Sequence, residues 1–387
     1  MPRYVELLVP VALLVSACGG GETPSKPGGS AGTAGNAGSA GGGGTAGSSG
    51  GSAGNAATSG TGGSAGSGMV PPQGELVGWA AVAGLGRDTT TGGDGGQTVR
   101  PATAAELLAY GVSPEPLVIE LSGTFDVPRL ELLSNKTLVG VAGGATINGG
   151  IRIRPQSSDE TVENVIVRNL RVNGATSAVE GDEADPPNDD DDAIVVYRAH
   201  HVWLDHLEVW DGRDGNLDIV HGSDFVTVSW SKFRYSDAPP YEDHRYSNLV
   251  GHSDSENAAA EDRGALSVTF HHNWWAERVV ERMPRVRFGK VHVVSNYYSS
   301  AGNNYCVRAG FESDVLVENN YFDGVGKPHE INEDDGGPGK LTSRGNEYVA
   351  TTGAQDQTGT AFEPPYAYSP EPAADVKTLV MQGAGPR

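Results

Sequence analysis

From about residue 117 the chain alternates short β-rich runs with polar, glycine-containing turns. Seven runs align on one eight-residue template: 165–172 (VIVRNLRV), 202–209 (VWLDHLEV), 226–233 (VTVSWSKF), 268–275 (VTFHHNWW), 291–298 (VHVVSNYY), 315–322 (VLVENNYF) and 341–348 (LTSRGNEY). Positions one, three and eight are nearly always apolar, and the alternation at one and three is a strand signal. The first positions lie 37, 24, 42, 23, 24 and 26 residues apart, a period near 24 broken by two insertions. A fixed period of this size means a solenoid. Each repeat is too short for a strand–helix unit and too β-rich for a helical pair, and the Leu pattern of leucine-rich repeats is absent. The spacing therefore predicts an all-β fold, a parallel β-helix with one coil per repeat.

Two further columns support this reading. Position six is Asn273, Asn296, Asn320 and Asn346 in successive repeats, which predicts an asparagine ladder whose amides pair from coil to coil at a turn. Position eight is Trp275, Tyr298, Phe322 and Tyr348, which predicts a stack of core rings. Residues 349–387 lack the repeat and contain several prolines; they read as an irregular tail packed along the helix.

The insertions carry the candidate chemistry, because solenoids loop such segments out on one face, often the binding face. The first holds residues 180–192, the densest acidic run. Asp189 to Asp192 lead into a strand, and period-two alternation puts Asp190 and Asp192 on one side. One coil later Asp214 and Asp218 share a side in the same way. Four carboxylates on adjacent coils with no nearby lysine repel one another, and Ca²⁺, a hard cation served by carboxylate oxygens, relieves that. Asp189 and Asp191 read as solvated loop acids. The second insertion, 234–263, is rich in His, Tyr, Asp and Arg. It is followed by Arg278, Arg282, Arg285, Arg287 and Lys290 within 13 residues. Glu277 and Glu281 can pair with some of these. The rest, two coils from the acids, suit bidentate capture of an anionic substrate.

The net charge of −22 sharpens this. Residues 1–68 sum to zero, so the imbalance lies on residues 69–387. Such a surface repels nucleic acid and anionic membranes. An anionic polysaccharide is repelled too, unless arginines or bound metal reverse the field locally. Two cysteines, Cys18 and Cys306, give no disulfide framework. Residues 1–18 read as an export signal: Arg3, then a run of roughly ten apolar residues, too short to cross a bilayer. It ends in Leu14-Val15-Ser16-Ala17-Cys18, which resembles the bacterial lipoprotein box and makes Cys18 a lipidation site. Residues 19–68, almost wholly Gly, Ser, Ala, Thr and Asn, read as a flexible tether. The expected organisation is thus signal, tether and a catalytic domain over 69–387. The protein is expected to be exported and monomeric, held at the cell surface or outer membrane by the lipid at Cys18, or secreted.

The stretch 134–298 resembles the pectate lyase superfamily, polysaccharide lyase family 1. Ser134-Asn135-Lys136-Thr137 with Gly140 is similar to its early strand signature. Val202-Trp203-Leu204-Asp205-His206 matches its vWiDH motif, and Arg282-x-Pro284-x-x-Arg287 its RxPxxR motif, continued by Phe288-Gly289. The resemblance implies a right-handed parallel β-helix that cleaves de-esterified polygalacturonate by Ca²⁺-assisted β-elimination. It makes Arg282 the base, Arg287 a clamp on a substrate carboxylate, and Asp190, Asp192, Asp214 and Asp218 the Ca²⁺ ligands. Chemistry alone nominates His or Lys as base, since guanidinium has a pKa above about 12; an arginine base implies an alkaline optimum. His206, His271 and His272 read as structural. No His/Cys set has zinc spacing. Where the family commonly carries a substrate-gripping lysine this chain has Tyr246, leaving Arg245 to supply the charge. The alternatives are a pectin lyase acting on methylated substrate without metal, a polygalacturonase-like hydrolase, and a non-catalytic β-helix that binds polysaccharide at the cell surface.

Overall fold

The computed structural model describes residues 74–177, 191–332 and 337–387. The chain divides into two units, Met1–Ser64 and Ala65–Arg387, and every described residue belongs to the second. The signal with Cys18, the tether, and the acids Asp189 and Asp190 lie outside the described residues.

The second unit is the parallel β-helix that the repeat predicts. Position one of the template runs in unbroken parallel register through all seven repeats, Val165 to Val202, Val226, Val268, Val291, Val315 and Leu341. Position eight does the same from Val172 through Val209, Phe233, Trp275, Tyr298 and Phe322 to Tyr348. The eight residues are two strands on two sheets, not one. A left-handed residue at position five turns the corner each time: Asn169, His206, Trp230, His272, Ser295, Asn319 and Gly345, with φ from 47° to 65°. Outside Gly, Asn and Asp this conformation costs about 1–2 kcal/mol, so something must hold the corner.

In the last four repeats the asparagine column lies beside it, and ahead of that column Ser231 Oγ and Asn273 Oδ1 accept from the Leu207 and Ser231 amides at 3.1 and 3.0 Å. Asn296 Oδ1 accepts from the Asn273 N–H (2.8 Å) and Nδ2 (3.1 Å), while its own Nδ2 donates to Asn320 Oδ1 (3.0 Å) and the Phe270 carbonyl (2.9 Å). Asn320 and Asn346 repeat the pattern. Inside it the rings of Trp275, Tyr298 and Phe322 stack at 4.6 and 4.4 Å. Asn296→Ala strands buried donors and acceptors in both neighbouring coils. It is expected to lower the unfolding free energy by about 3 kcal/mol in urea titration; a loss under about 1 kcal/mol would make the ladder incidental.

Each coil presents three faces, and two are covered. Over the first sheet, the Trp79 and Ala80 amides bond Thr269 and Thr227, and Tyr366 bridges Thr269 and His292 at 2.7 Å. His272 reaches Glu371 at 3.0 Å. The second sheet carries the helix Ala373–Gly383, whose Val376 and Val380 pack on Tyr297. The tail is therefore not irregular throughout, since its last segment has an apolar helical face that seals the coils. His206 bonds Asp205 at 2.8 Å and lies parallel to Trp230 at the corner. Burial and the neighbouring His272 push His271 down to about 3, so it stays neutral inside the wall. Among the described residues the third sheet carries no such cover and is the open face.

Candidate active site

The third sheet consists of Ile194–Tyr197, Leu217–Val220, Asn248–Val250, Arg285–Val286, Val307–Ala309 and His329–Ile331. Alternation sends Val196, Ile219, Val250, Val286 and Ala309 into the core. The opposite side is the row Val195, Asp218, Leu249, Arg285, Arg308 and Glu330, one residue per coil. The row is mixed, with Asp218 and Leu249 followed by Arg285 and Arg308 and then Glu330. A pocket of about 140 Å³ is lined by Asp214, Asp218, Arg282, Arg285 and Arg287, with Tyr197, His221 and His252 where their strands end.

Of the four acids Asp192, Asp214 and Asp218 are described, and Asp214 lies in a bend ahead of the strand that carries Asp218. Asp192 is fully buried, and neither of its carboxylate oxygens has a hydrogen-bond partner. Burial, then Asp218 and Asp214, push its carboxyl well above the usual range, against the pull of Arg152 and Arg282. Gly215 keeps the space open: a Cβ there would lie 2.5 Å from Asp192 Oδ1 and 3.6 Å from Asp218 Oδ1. Among the described residues no three acids or histidines already converge in ligating geometry. Asp191 departs from its expected place. It is 1% exposed and faces Arg213 Nε at 3.5 Å, because the alternation that aims Asp192 toward Asp218 turns Asp191 toward the neighbouring loop.

Arg282 enters the pocket from a left-handed residue (φ 61°) just before its strand. Its guanidinium lies over the Tyr246 ring, 4.3 Å from the centroid. Burial works against its charge, but Asp218, Tyr305, Asp214 and Asp192 outweigh that and raise its pKa. Arg287 reaches the pocket while Nη1 donates to the Gly251 and His252 carbonyls at 3.1 and 3.4 Å. Arg245 is not brought there. It bonds the Glu242 carbonyl at 3.1 Å and the Glu242 carboxylate at 3.4 Å. In extended chain it points away from the side that Tyr246 takes toward Arg282.

Several groove residues had no role assigned from sequence. Arg285 and Arg308 were legible, since both fall on the outward positions of their strands. His221 and His252 were not. Their rings stack at 3.7 Å, Tyr197 lies 4.2 Å from His221, and Glu261 holds His221 Nδ1 at 2.7 Å. Glu261 comes from the helix Glu256–Asp262 in the second insertion, a contact across 40 residues that no local spacing reveals.

With arginines beside buried acids on its third sheet, the described unit belongs to the class of parallel β-helix solenoids. Within that class the chain belongs to the pectate lyase family, whose model matches residues 23–386. It is 30% identical over 345 residues to a pectate trisaccharide-lyase of Bacillus licheniformis, covering 82% of this chain and 89% of that one. It is 38% identical over 215 residues to a pectate trisaccharide-lyase of Thermotoga maritima, covering 54% and 53%; of that relative it spans about half. A pectate lyase of Bacillus sp. N165, solved with trigalacturonate, superposes with a TM-score of 0.64 at 26% identity, covering 81% of this chain and 99% of that one. The cedar pollen allergen Jun a 1, at 20% identity and a TM-score of 0.58, shares the fold.

Proposed function

We propose that this protein is an exported, Ca²⁺-dependent pectate lyase that cleaves de-esterified polygalacturonate by β-elimination. The observation that carries the reading is the juxtaposition, on the open face, of the buried Asp192 carboxylate with Asp214, Asp218 and Arg282. Asp192, Asp214 and Asp218, with Asp190, would hold the ion; an unbonded buried carboxylate beside a glycine-sized space suits a hard cation. When bound, Ca²⁺ polarises a uronate carboxylate and acidifies the proton on C5. Arg282 takes that proton, the C4–C5 double bond forms, and the C4–O bond breaks to release the sugar. Arg287 and Arg285 hold carboxylates of the polymer. Asp218, Asp214 and Asp192 favour the protonated guanidinium, so neutralising them would lower its pKa and raise the fraction of Arg282 free to accept the proton, and one set of acids serves both binding and timing. The leader remains assigned to a lipid anchor at Cys18.

A metal-free pectin lyase has no use for Asp192, and a hydrolase needs paired acids around the bond with one protonated, which leaves the arginines idle. Incubation with polygalacturonate, with and without EDTA, separates these by the ultraviolet absorbance of the unsaturated product. Absorbance that depends on Ca²⁺ supports the proposal. Absorbance on methylated pectin alone points to a pectin lyase, reducing ends without absorbance to a hydrolase, and silence on all substrates to a binder. With an arginine base, kcat/KM should climb from about pH 6 to beyond about pH 8. A maximum near about pH 5 that falls above about pH 7 would remove Arg282 as base.

A further inference from the structure

At the place where the resemblance expects a lysine, Tyr246 stands under Arg282. We propose that Tyr246 is a positioning residue for the elimination: its ring is the platform that aims the Arg282 guanidinium into the groove. The inference rests on Arg282 being the base. The guanidinium lies on the ring at 4.3 Å, and Nε is buried without a hydrogen-bond partner. Among the described residues Arg282 forms no ion pair, since Asp218, Asp214 and Asp192 act on it from longer range. The aromatic face is therefore what orients this side chain. A guanidinium held over a ring face gains cation–π attraction without using its N–H donors.

The platform is itself fixed. The Tyr246 carbonyl accepts from the Tyr235 hydroxyl at 2.7 Å and from the Asn216 amide at 3.2 Å. The Tyr246 backbone forms a parallel bridge with Glu281, the residue before Arg282. His244 packs its ring against the tyrosine at 5.3 Å. Tyr235, which anchors this loop, is buried in the core. A lysine at this place would set a like charge against Arg282, whereas a ring supports the cation. Substrate grip then falls to Arg285 and Arg287, which line the pocket.

Tyr246 therefore acts on the chemical step and not on affinity. Steady-state kinetics on polygalacturonate with Ca²⁺ would compare Tyr246→Phe, Tyr246→Leu and Arg282→Lys. The phenylalanine variant, which keeps the ring, should match the parent kcat within about twofold. The leucine variant should lose about tenfold in kcat with KM within about twofold. If it does not fold, as judged by thermal melting, Tyr246→Met fills a similar volume without a ring and repeats the test. A raised KM at unchanged kcat would make Tyr246 a substrate contact and overturn the proposal. So would a phenylalanine variant as impaired as the leucine one. Loss of activity in Arg282→Lys with parent kcat in Tyr246→Leu removes only the role of Tyr246; full activity in Arg282→Lys removes the base itself.

Discussion

Arg282→Lys is expected to lower kcat/KM on polygalacturonate by roughly 10³-fold while leaving the β-helix intact. The prediction runs against simple basicity. Lysine loses its proton more readily than arginine, so if the pKa alone decided, the variant would be the faster enzyme. Geometry says otherwise. The guanidinium is planar and lies over the Tyr246 ring at 4.3 Å, and a lysine ammonium is a point charge on a flexible stem that cannot present the same edge. Folding should be spared: the Arg282 carbonyl, which accepts from the Asn248 amide at 2.6 Å, is unchanged, and a left-handed non-glycine residue is already tolerated there. Thermal melting within about 1 kcal/mol of the parent, with the activity gone, is the expected pair of results. Retained turnover would remove Arg282 from the chemistry.

Asp192→Asn is expected to abolish Ca²⁺-dependent turnover, by about 10²-fold or more, and at the same time to raise the melting temperature in EDTA. The sign follows from the raised carboxyl. Burial, then Asp218 and Asp214, favour the protonated form in the folded protein, while the unfolded chain ionises near about pH 3.9. Above that pH the folded state binds more protons than the unfolded, so metal-free stability falls as pH rises toward the raised folded value. Asparagine keeps the shape and deletes the charge. Bound Ca²⁺ stabilises the parent by mass action, so calorimetry at mildly alkaline pH should show a Ca²⁺-dependent rise for the parent and none for the variant. A variant that melts lower than the parent in EDTA would show that Asp192 is not a strained carboxylate.

The lattice of the fold was readable because a solenoid repeats its constraint. Val165, Val202, Val226, Val268, Val291, Val315 and Leu341 had to occupy one inward column, and they do. The asparagine and aromatic columns followed for the same reason. The left-handed corner at position five was less legible. It is occupied by His206, Trp230, His272 and Ser295 as well as by Asn and Gly, so residue preference does not mark it, and the asparagine ladder accompanies it only from Asn273 onward. The helix Ala373–Gly383 was missed because its apolar face answers to the second sheet, far away in sequence.

At the site the division is similar. Strand alternation predicted Asp214 and Asp218 on one side, whereas Asp214 lies in a bend ahead of the strand Leu217–Val220. The partner of each charge was decided only in three dimensions. Asp191 became a buried partner of Arg213 and not a solvated loop acid. Arg245 fell to Glu242 while Tyr246 took the place under Arg282. His221 found Glu261 across the second insertion. The sequence by itself determined the coil, and its resemblance to the pectate lyases nominated Arg282 as the base. Tertiary structure decided what each charge touches, because ion pairs and stacking depend on distances between coils that a one-dimensional period leaves undefined.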